Sequence, residues 1–313
     1  MIGAVDIGGT KIAVGMVDDD GRLLSRAESP TDANGGFAAA MERTAQMLRF
    51  AVKNAGTSIT GIGIGSTGPV DPISGDIGNV EFFASWQGEN PVRTLEQEFG
   101  VRVAMENDAD AAALGEASWG AGKNKSRLIY VTVGTGIGVG VVIDGHLYRG
   151  VGHAHPEIGH HVIDSSGPLC SCGFRGCWES LAAGPAMVTL LKAEAPPAHP
   201  DYAELTAKRI CELARAGDHW AERAAAREAR YLGLGVANLV TIFVPDAIVF
   251  GGSVMKSADL FWDKIRSTVR ESCRFVPHAK TELVMASLGE NANLIGAARV
   301  WYHRFAAMEQ THA

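Results

Sequence analysis

The sequence predicts an α/β protein built as two related halves, and three observations predict it. Strand-like and helix-like stretches alternate along the whole chain. Two segments, "IGAVDIGGTKIAVGMV" near the start and "SRLIYVTVGTGIGVGVVI" from Ser126, share one pattern of apolar strand, Gly/Thr turn and alternating strand. A length of 313 residues is long for one hydrophobic core and natural for two.

The elements follow in order. "IGAVDIGG" reads as a strand, "KIAVGMV" as its alternating partner, and "DDDG" (18–21) as a hairpin turn before "RLLSRA". Residues 36–55 place Phe37, Met41, Ala45 and Leu48 at helical spacing. "ITGIGIGSTGPVDPISG" is a buried strand running into a Gly/Pro turn. "NPVRTLEQEFG" reads as a helix stopped by Gly100. "VRVAMEND" is a strand ending on polar residues, where the helix "ADAAALGEASWGAG" begins. Beyond the second glycine segment, 193–202 form a Pro-rich loop and 203–240 are mostly helical. "DAIVFGGSV" is a strand running into a Gly pair, and "NANLIGAARVWYHRFAAM" a closing helix.

Composition narrows the function classes. With 46% hydrophobic and 20% charged residues the chain has material for a real core. A net charge of −7 gives no general attraction to nucleic acid or acidic lipid. The longest apolar stretches are broken by glycine and too short to span a bilayer, so no membrane partner is expected. The first residues enter a strand with no basic leader, which predicts a non-secreted protein. Five cysteines, three of them within residues 170–177, fit metal binding in a reducing cytoplasm better than a disulfide framework.

Glycine turns at strand ends expose successive backbone N–H groups, and such turns bind phosphate oxygens. "GAGKNKS" lacks the spacing of a P-loop, and "GTGIGVGVVIDG" lacks the spacing and the following helix of a dinucleotide fingerprint. A pair of facing hairpin phosphate loops fits both segments. For either turn alone, glycine easing strand packing is the competing reading.

C-x-C-x4-C with a histidine ten residues upstream supplies His160, Cys170, Cys172 and Cys177, a donor set that suits tetrahedral Zn²⁺. Four protein ligands leave no position for an activated water, so the ion reads as structural. Three reduced cysteines packed as small hydrophobes is the alternative. Near residue 106, "MENDADAAALGE" offers Glu106, Asp108 and Asp110 at a strand-to-helix junction, where any single acid could be only a cap.

Taken together, "DIGGTKIAVGMVD", "GTGIGVGVVIDGHLYRG", "IVFGGSV", "NLIGAARV" and above all "EIGH" followed by "CSCGFRGCWE" resemble the actin-like (ribonuclease H-like) ATPase fold of sugar kinases. Within it they resemble the ROK family (repressor, open reading frame, kinase), over almost the whole chain. The resemblance implies two similar α/β domains with an active-site cleft between them: residues 1–118 plus the closing helix 291–313, and residues 119–290 with the zinc loop. It implies ATP with Mg²⁺, held by Asp6, Gly8, Gly9, Thr10, Lys11, Gly134, Thr135, Gly136, Gly251 and Gly252, with Asp6 positioning the ion through water.

The resemblance makes Asp108 the base that takes a proton from a sugar hydroxyl. Asn107, Glu157, His160, Glu179 and Gly68 join it as sugar contacts, His160 serving both metal and sugar through its two ring nitrogens. Asp110, where relatives often carry Asn, reads as helix start. His153, His155 and His161 read as surface or outer-shell residues. The expected activity is ATP-dependent phosphorylation of a hexose, glucose at O6 first; N-acetylhexosamines, mannose and fructose are the alternatives, and a polyphosphate donor stays open. Many relatives carry Pro-Asn-Leu before the Trp of the sugar loop, whereas "GNVEFFASW" puts Phe82 and Phe83 there. Only three residues precede "AVDIGG", so a DNA-reading repressor is not expected, and a non-catalytic sugar sensor less than a kinase. A homodimer is implied by the family.

Overall fold

The computed structural model describes residues 1–194 and 202–309. The expected Pro-rich loop lies mostly outside these residues, and so do positions 310–313 of the expected closing segment. The chain divides into two compact units, one of Met1–Tyr130, Gly140–Pro156 and everything from Ala286 on, the other of Val131–Val139 and Glu157–Met285.

The first unit is built on a five-stranded sheet of β1 (Ile2–Ile7), β2 (Lys11–Val17), β3 (Leu23–Pro30), β4 (Gly61–Ser66) and β5 (Val103–Asn107). Its order is β3-β2-β1-β4-β5. The first three strands are an antiparallel meander, and β4 and β5 run parallel to β1. Between β3 and β4 lies α1 (Phe37–Ala55), ending on Gly56 at φ 62°, and between β4 and β5 lies α2 (Pro91–Phe99), ending on Gly100 at φ 64°. Asn90 caps α2 by accepting the Arg93 N–H at 2.7 Å. β5 runs directly into α3 (Asp108–Trp119) with no intervening loop.

Alternation along the strands sorts the two faces of this sheet. Val5, Ile7, Ile12 and Val14 pack with Met41 and Leu48 of α1 and Leu95 of α2 in one core. Ile2, Ala4, Ala13 and Val17 pack in a second core with Leu294, Ala297, Ala298 and Trp301 of the last helix.

The second sheet contains β6 (Arg127–Val133), β7 (Ile137–Ile143), β8 (His146–Leu147), β9 (Ala247–Gly251) and β10 (Glu282–Met285), in the order β10-β9-β6-β7-β8. The second unit adds α4 (Trp178–Ala182), α5 (Gly184–Glu194), α6 (Ala207–Arg215), α7 (His219–Phe243) and α8 (Trp262–Ser272). Trp178 is fully buried and lies against the Gly235 backbone of α7, where any Cβ would collide with its indole. The closing helix, α9 (Ala292–Glu309), belongs to the first unit.

The first sheet ends with β5 and the second begins with β6. By packing, 119–130, 140–156 and 286–290 go with the first unit. The physical reason lies in β7: a Cβ on Gly140 would stand 2.5 Å from the Ala109 carbonyl and 2.6 Å from the Ala113 side chain of α3. None of the described helices is long and apolar enough to cross a membrane.

Candidate active site

In the first unit the turn between β1 and β2 carries Gly8, Gly9 and Thr10, closed by the Gly8 N–H donating to the Lys11 carbonyl at 2.9 Å. Buried Thr31 braces it: its hydroxyl donates to the Gly8 carbonyl at 2.6 Å and its N–H to the Thr10 carbonyl at 3.0 Å. Lys11 is exposed and pairs with Glu28 of β3 at 3.1 Å, so its ammonium stands at the mouth of the turn.

Asp6 sits one residue before the end of β1, on the Ala4 face, level with Gly65 of β4. Gly65 is small enough to let the start of α3 approach: a Cβ there would lie 3.1 Å from the Ala111 methyl and 3.7 Å from Asp108 Cα. Burial, and then the like charge of Asp108, push the Asp6 carboxyl up to about 7, against the pull of Lys11 and Arg26.

Asp108 is half-buried as the first residue of α3. Its carboxylate accepts the Ala109 N–H at 2.8 Å and the Thr67 hydroxyl at 3.3 Å. Burial raises its pKa to about 6, opposed chiefly by the Ala109 N–H and by His155. An acid held there is ionised at pH 7 yet still a usable proton acceptor. Asn107 is buried and caps α3, its side-chain oxygen accepting the same Ala109 N–H at 2.9 Å. Its amide nitrogen faces Gly68, where a Cβ would come within 2.9 Å. The first unit thus gathers Asp6, Gly68, Asn107 and Asp108 at the carboxyl ends of three strands.

Two sequence readings need correction here. Asp110 is no ordinary helix start: it is fully buried, accepting Arg149 at 2.5 Å and His155 Nδ1 at 2.6 Å. Of the two readings of His155, surface or outer shell, the structure excludes the surface one: its side chain is 12% exposed. Arg149 also pairs with Glu106, completing a buried cluster of two acids and two bases. An acid near a helix start looks like a cap in sequence, and partners 39 and 45 residues away give no local signal. Phe83 is buried against Trp86, whereas Phe82 is exposed with its ring over Gly9, 2.7 Å from where a Cβ would be.

In the second unit the turn Gly134–Gly136 is closed by the Gly134 N–H donating to the Gly136 carbonyl at 2.9 Å and anchored by the Gly184 N–H to the Gly134 carbonyl at 2.8 Å. Thr135 at its tip is exposed. Glu179, in the first turn of α4, accepts the Ile137 N–H at 2.8 Å through Oε2. Its other oxygen lies 4.0 Å from His160 Nε2. A side chain on Gly136 would occupy the Glu179 carboxylate's place. Glu157 is exposed, immediately before the 3₁₀ turn that carries His160. Gly251 ends β9, and Gly252 at φ 92° presses on the Val133 backbone. Next to Gly252 lies a cavity of about 350 Å³ whose lining includes Ser253, Lys256, Lys208 and Arg215.

His160, Cys170, Cys172 and Cys177 converge, their ligand atoms all within 4.8 Å of one another. Cys170 Sγ is 3.4 Å from His160 Nδ1, and the Cys172 and Cys177 sulfurs are 3.5 Å apart. Burial and the neighbouring cysteines push Cys177 up to about 12, whereas the Phe174 N–H pulls Cys172 down. Three crowded thiols, one facing an amide donor, and an imidazole nitrogen fit a zinc ion, whose charge lets thiolates share one space. His161 lies apart from the set. It is half-buried, stacked edge-on against Trp178 at 5.5 Å and hydrogen-bonded to Ile158 and Asn238, which favours the outer-shell alternative over the surface one.

A family profile described as "ROK family" matches residues 2–304. The chain belongs to the ROK family. It is 36% identical over 314 residues to a glucokinase of Streptomyces coelicolor, covering 94% of this chain and 95% of that one. Among solved structures, the ROK hexokinase of Thermus thermophilus superposes with a TM-score of 0.84 at 35% identity, covering 100% of this chain and 99% of the other. A ROK family glucokinase from Streptomyces griseus, in complex with glucose and AMPPNP, gives a TM-score of 0.81 at 34% identity, covering 95% and 97%. The two mixed sheets are those of the actin-like ATPase fold that ROK sugar kinases share.

Proposed function

We propose that this ROK protein is an ATP-dependent hexose kinase that phosphorylates glucose at O6. The observation that carries the reading is Asp108, a half-buried carboxyl with its pKa raised to about 6 at the start of α3, beside Asp6 and Asn107. Its supports are the glucokinase relative and the glucokinase solved with glucose and AMPPNP.

In this mechanism Asp108 accepts the O6 proton as that oxygen forms a bond to the γ-phosphorus. The bond from phosphorus to the bridging oxygen breaks, and ADP leaves with that electron pair. Asn107 and Gly68 in the first unit, and Glu157, His160 and Glu179 in the second, hold the sugar hydroxyls. In the first unit the N–H groups of the Gly8–Lys11 turn meet phosphate oxygens, and in the second those of the Gly134–Gly136 turn do so. The cavity beside Gly252 takes the nucleoside end. Asp6 is the residue that would hold the water of a Mg²⁺ ion brought with ATP, an ion that would supply neutralising charge for the phosphates. A zinc ion on His160, Cys170, Cys172 and Cys177 is structural; its ligand set leaves no site for activating water.

The test is sugar-phosphate formation, coupled to a reporter, across glucose, mannose, fructose and the two N-acetylhexosamines, with ATP or polyphosphate as donor. Glucose with ATP is expected to give the highest kcat/KM, and Asp108→Asn to lose several orders of magnitude in kcat. Absence of sugar phosphate from every hexose would overturn the function. A folded Asp108→Asn enzyme within tenfold of wild type would overturn the base.

A further inference from the structure

The cluster of Glu106, Asp110, Arg149 and His155 is absorbed by neither substrate binding nor the base. Asp110 is completely buried and Glu106 8% exposed, and the side chains of Arg149 and His155 are 14% and 12% exposed. Buried ionic groups are expensive unless their charges balance and their hydrogen bonds are met. Arg149 binds both acids, one through each terminal nitrogen, and His155 Nδ1 takes the same Asp110 oxygen as Arg149. Arg149 balances one carboxylate; Glu106, pushed up to about 7 by burial, adds its negative charge as pH rises past that value, and an imidazolium at His155 offsets it there.

The cluster is wired to the reacting end of α3. Glu106, Asp108 and Asp110 alternate over five residues across the junction of β5 and α3, and the base lies between the two buried acids. We propose that His155, seated by Asp110 and Arg149, is a positioning residue for Asp108 that supplies the positive charge keeping this base ionised. The inference rests on Asp108 being the base.

The leading charges around the base come from several elements. Asp108 feels His155, Asp110 and Asp6; Asp6 adds Lys11 and Arg26; Glu106 adds Arg149 and Arg304. Among the leading influences on Asp108, His155 is the cationic one, and its charge opposes the burial that raises the carboxyl. Arg149 and Glu106 also tie the chain entering 149–156 to the sheet, so the segment leading to Glu157 starts from a fixed point.

The decisive experiment compares the pH dependence of kcat/KM for glucose in wild type and His155→Gln, with Asp108→Asn as control. The base works deprotonated, so activity falls as pH drops through its pKa, and losing a nearby positive charge moves that limb upward. A shift of about one unit is expected. It reads as roughly a fivefold loss at pH 6 and little change at pH 8. An unmoved limb in folded His155→Gln overturns the inference while leaving the kinase reading intact. Persistent activity in Asp108→Asn sinks the reading beneath it. Should His155→Gln not fold, ¹⁵N shifts of the wild-type imidazole decide: both nitrogens protonated at pH 7 support the inference, and a neutral ring overturns it.

Discussion

Gly136→Ala tests how the second unit's glycine turn is built. The added methyl would fall where the Glu179 carboxylate lies, so either the turn or the acid must move. Glu179 accepts the Ile137 N–H at 2.8 Å, a charge-assisted bond, and such bonds contribute about 1.5–3 kcal/mol. At about 1.4 kcal/mol per factor of ten, losing it in the working state lowers kcat/KM by roughly tenfold to a hundredfold. The damage is local: His160 keeps Nδ1 toward Cys170, so metal content should hold while the melting temperature falls by a few degrees. Coupled ADP-release kinetics read the loss, and elemental analysis with a thermal melt reads the rest. Glu179→Gln, which keeps a carbonyl acceptor, should lose less than Glu179→Ala. A Gly136→Ala enzyme within twofold of wild type would show that Glu179 does not hold the turn during turnover.

Two further outcomes follow from the same geometry. Cys172→Ser should lower bound zinc and thermal stability together, and unchanged zinc by elemental analysis would refute the ligand set. Asp6→Asn should abolish most activity yet raise the melting temperature of the nucleotide-free protein at pH 8. The sign follows from linkage: a carboxyl raised to about 7 in the fold gives its full stability below its unfolded value, and that stability is lost as pH rises through 7. An amide escapes the penalty, and a lower melting temperature at pH 8 would contradict it.

What could be read from sequence was whatever the backbone advertises locally. The glycine turns and the Cys170–Cys177 run are short and declare their donor groups within a few residues, whereas the role given to Asn107-Asp108 came from the family resemblance, since any single acid there could be only a cap. The first sheet was legible for the same reason, its strands alternating and α2 closing on Gly100. The Asp110–His155 and Glu179–Ile137 contacts were not, because each joins residues more than 40 positions apart. Glu116 is a further case. Read as an ordinary helical acid, it is buried and accepts the Ala121 N–H at 2.7 Å and the Leu288 N–H at 2.9 Å, stitching the approach to α9 onto α3. Nothing in "GEASWG" announces a partner 172 residues away.

The packing of α9 on the first sheet has a consequence for synthesis. Ile2, Ala4, Ala13 and Val17 leave the ribosome long before the helix that shields them, α9 (Ala292–Glu309), is made. Until then the nascent chain presents an uncovered apolar sheet face, so growing chains depend on chaperones or rapid completion. Deletions reaching back to Leu294 would strand that face in the finished product, and insoluble protein, rather than a slower enzyme, is the expected result.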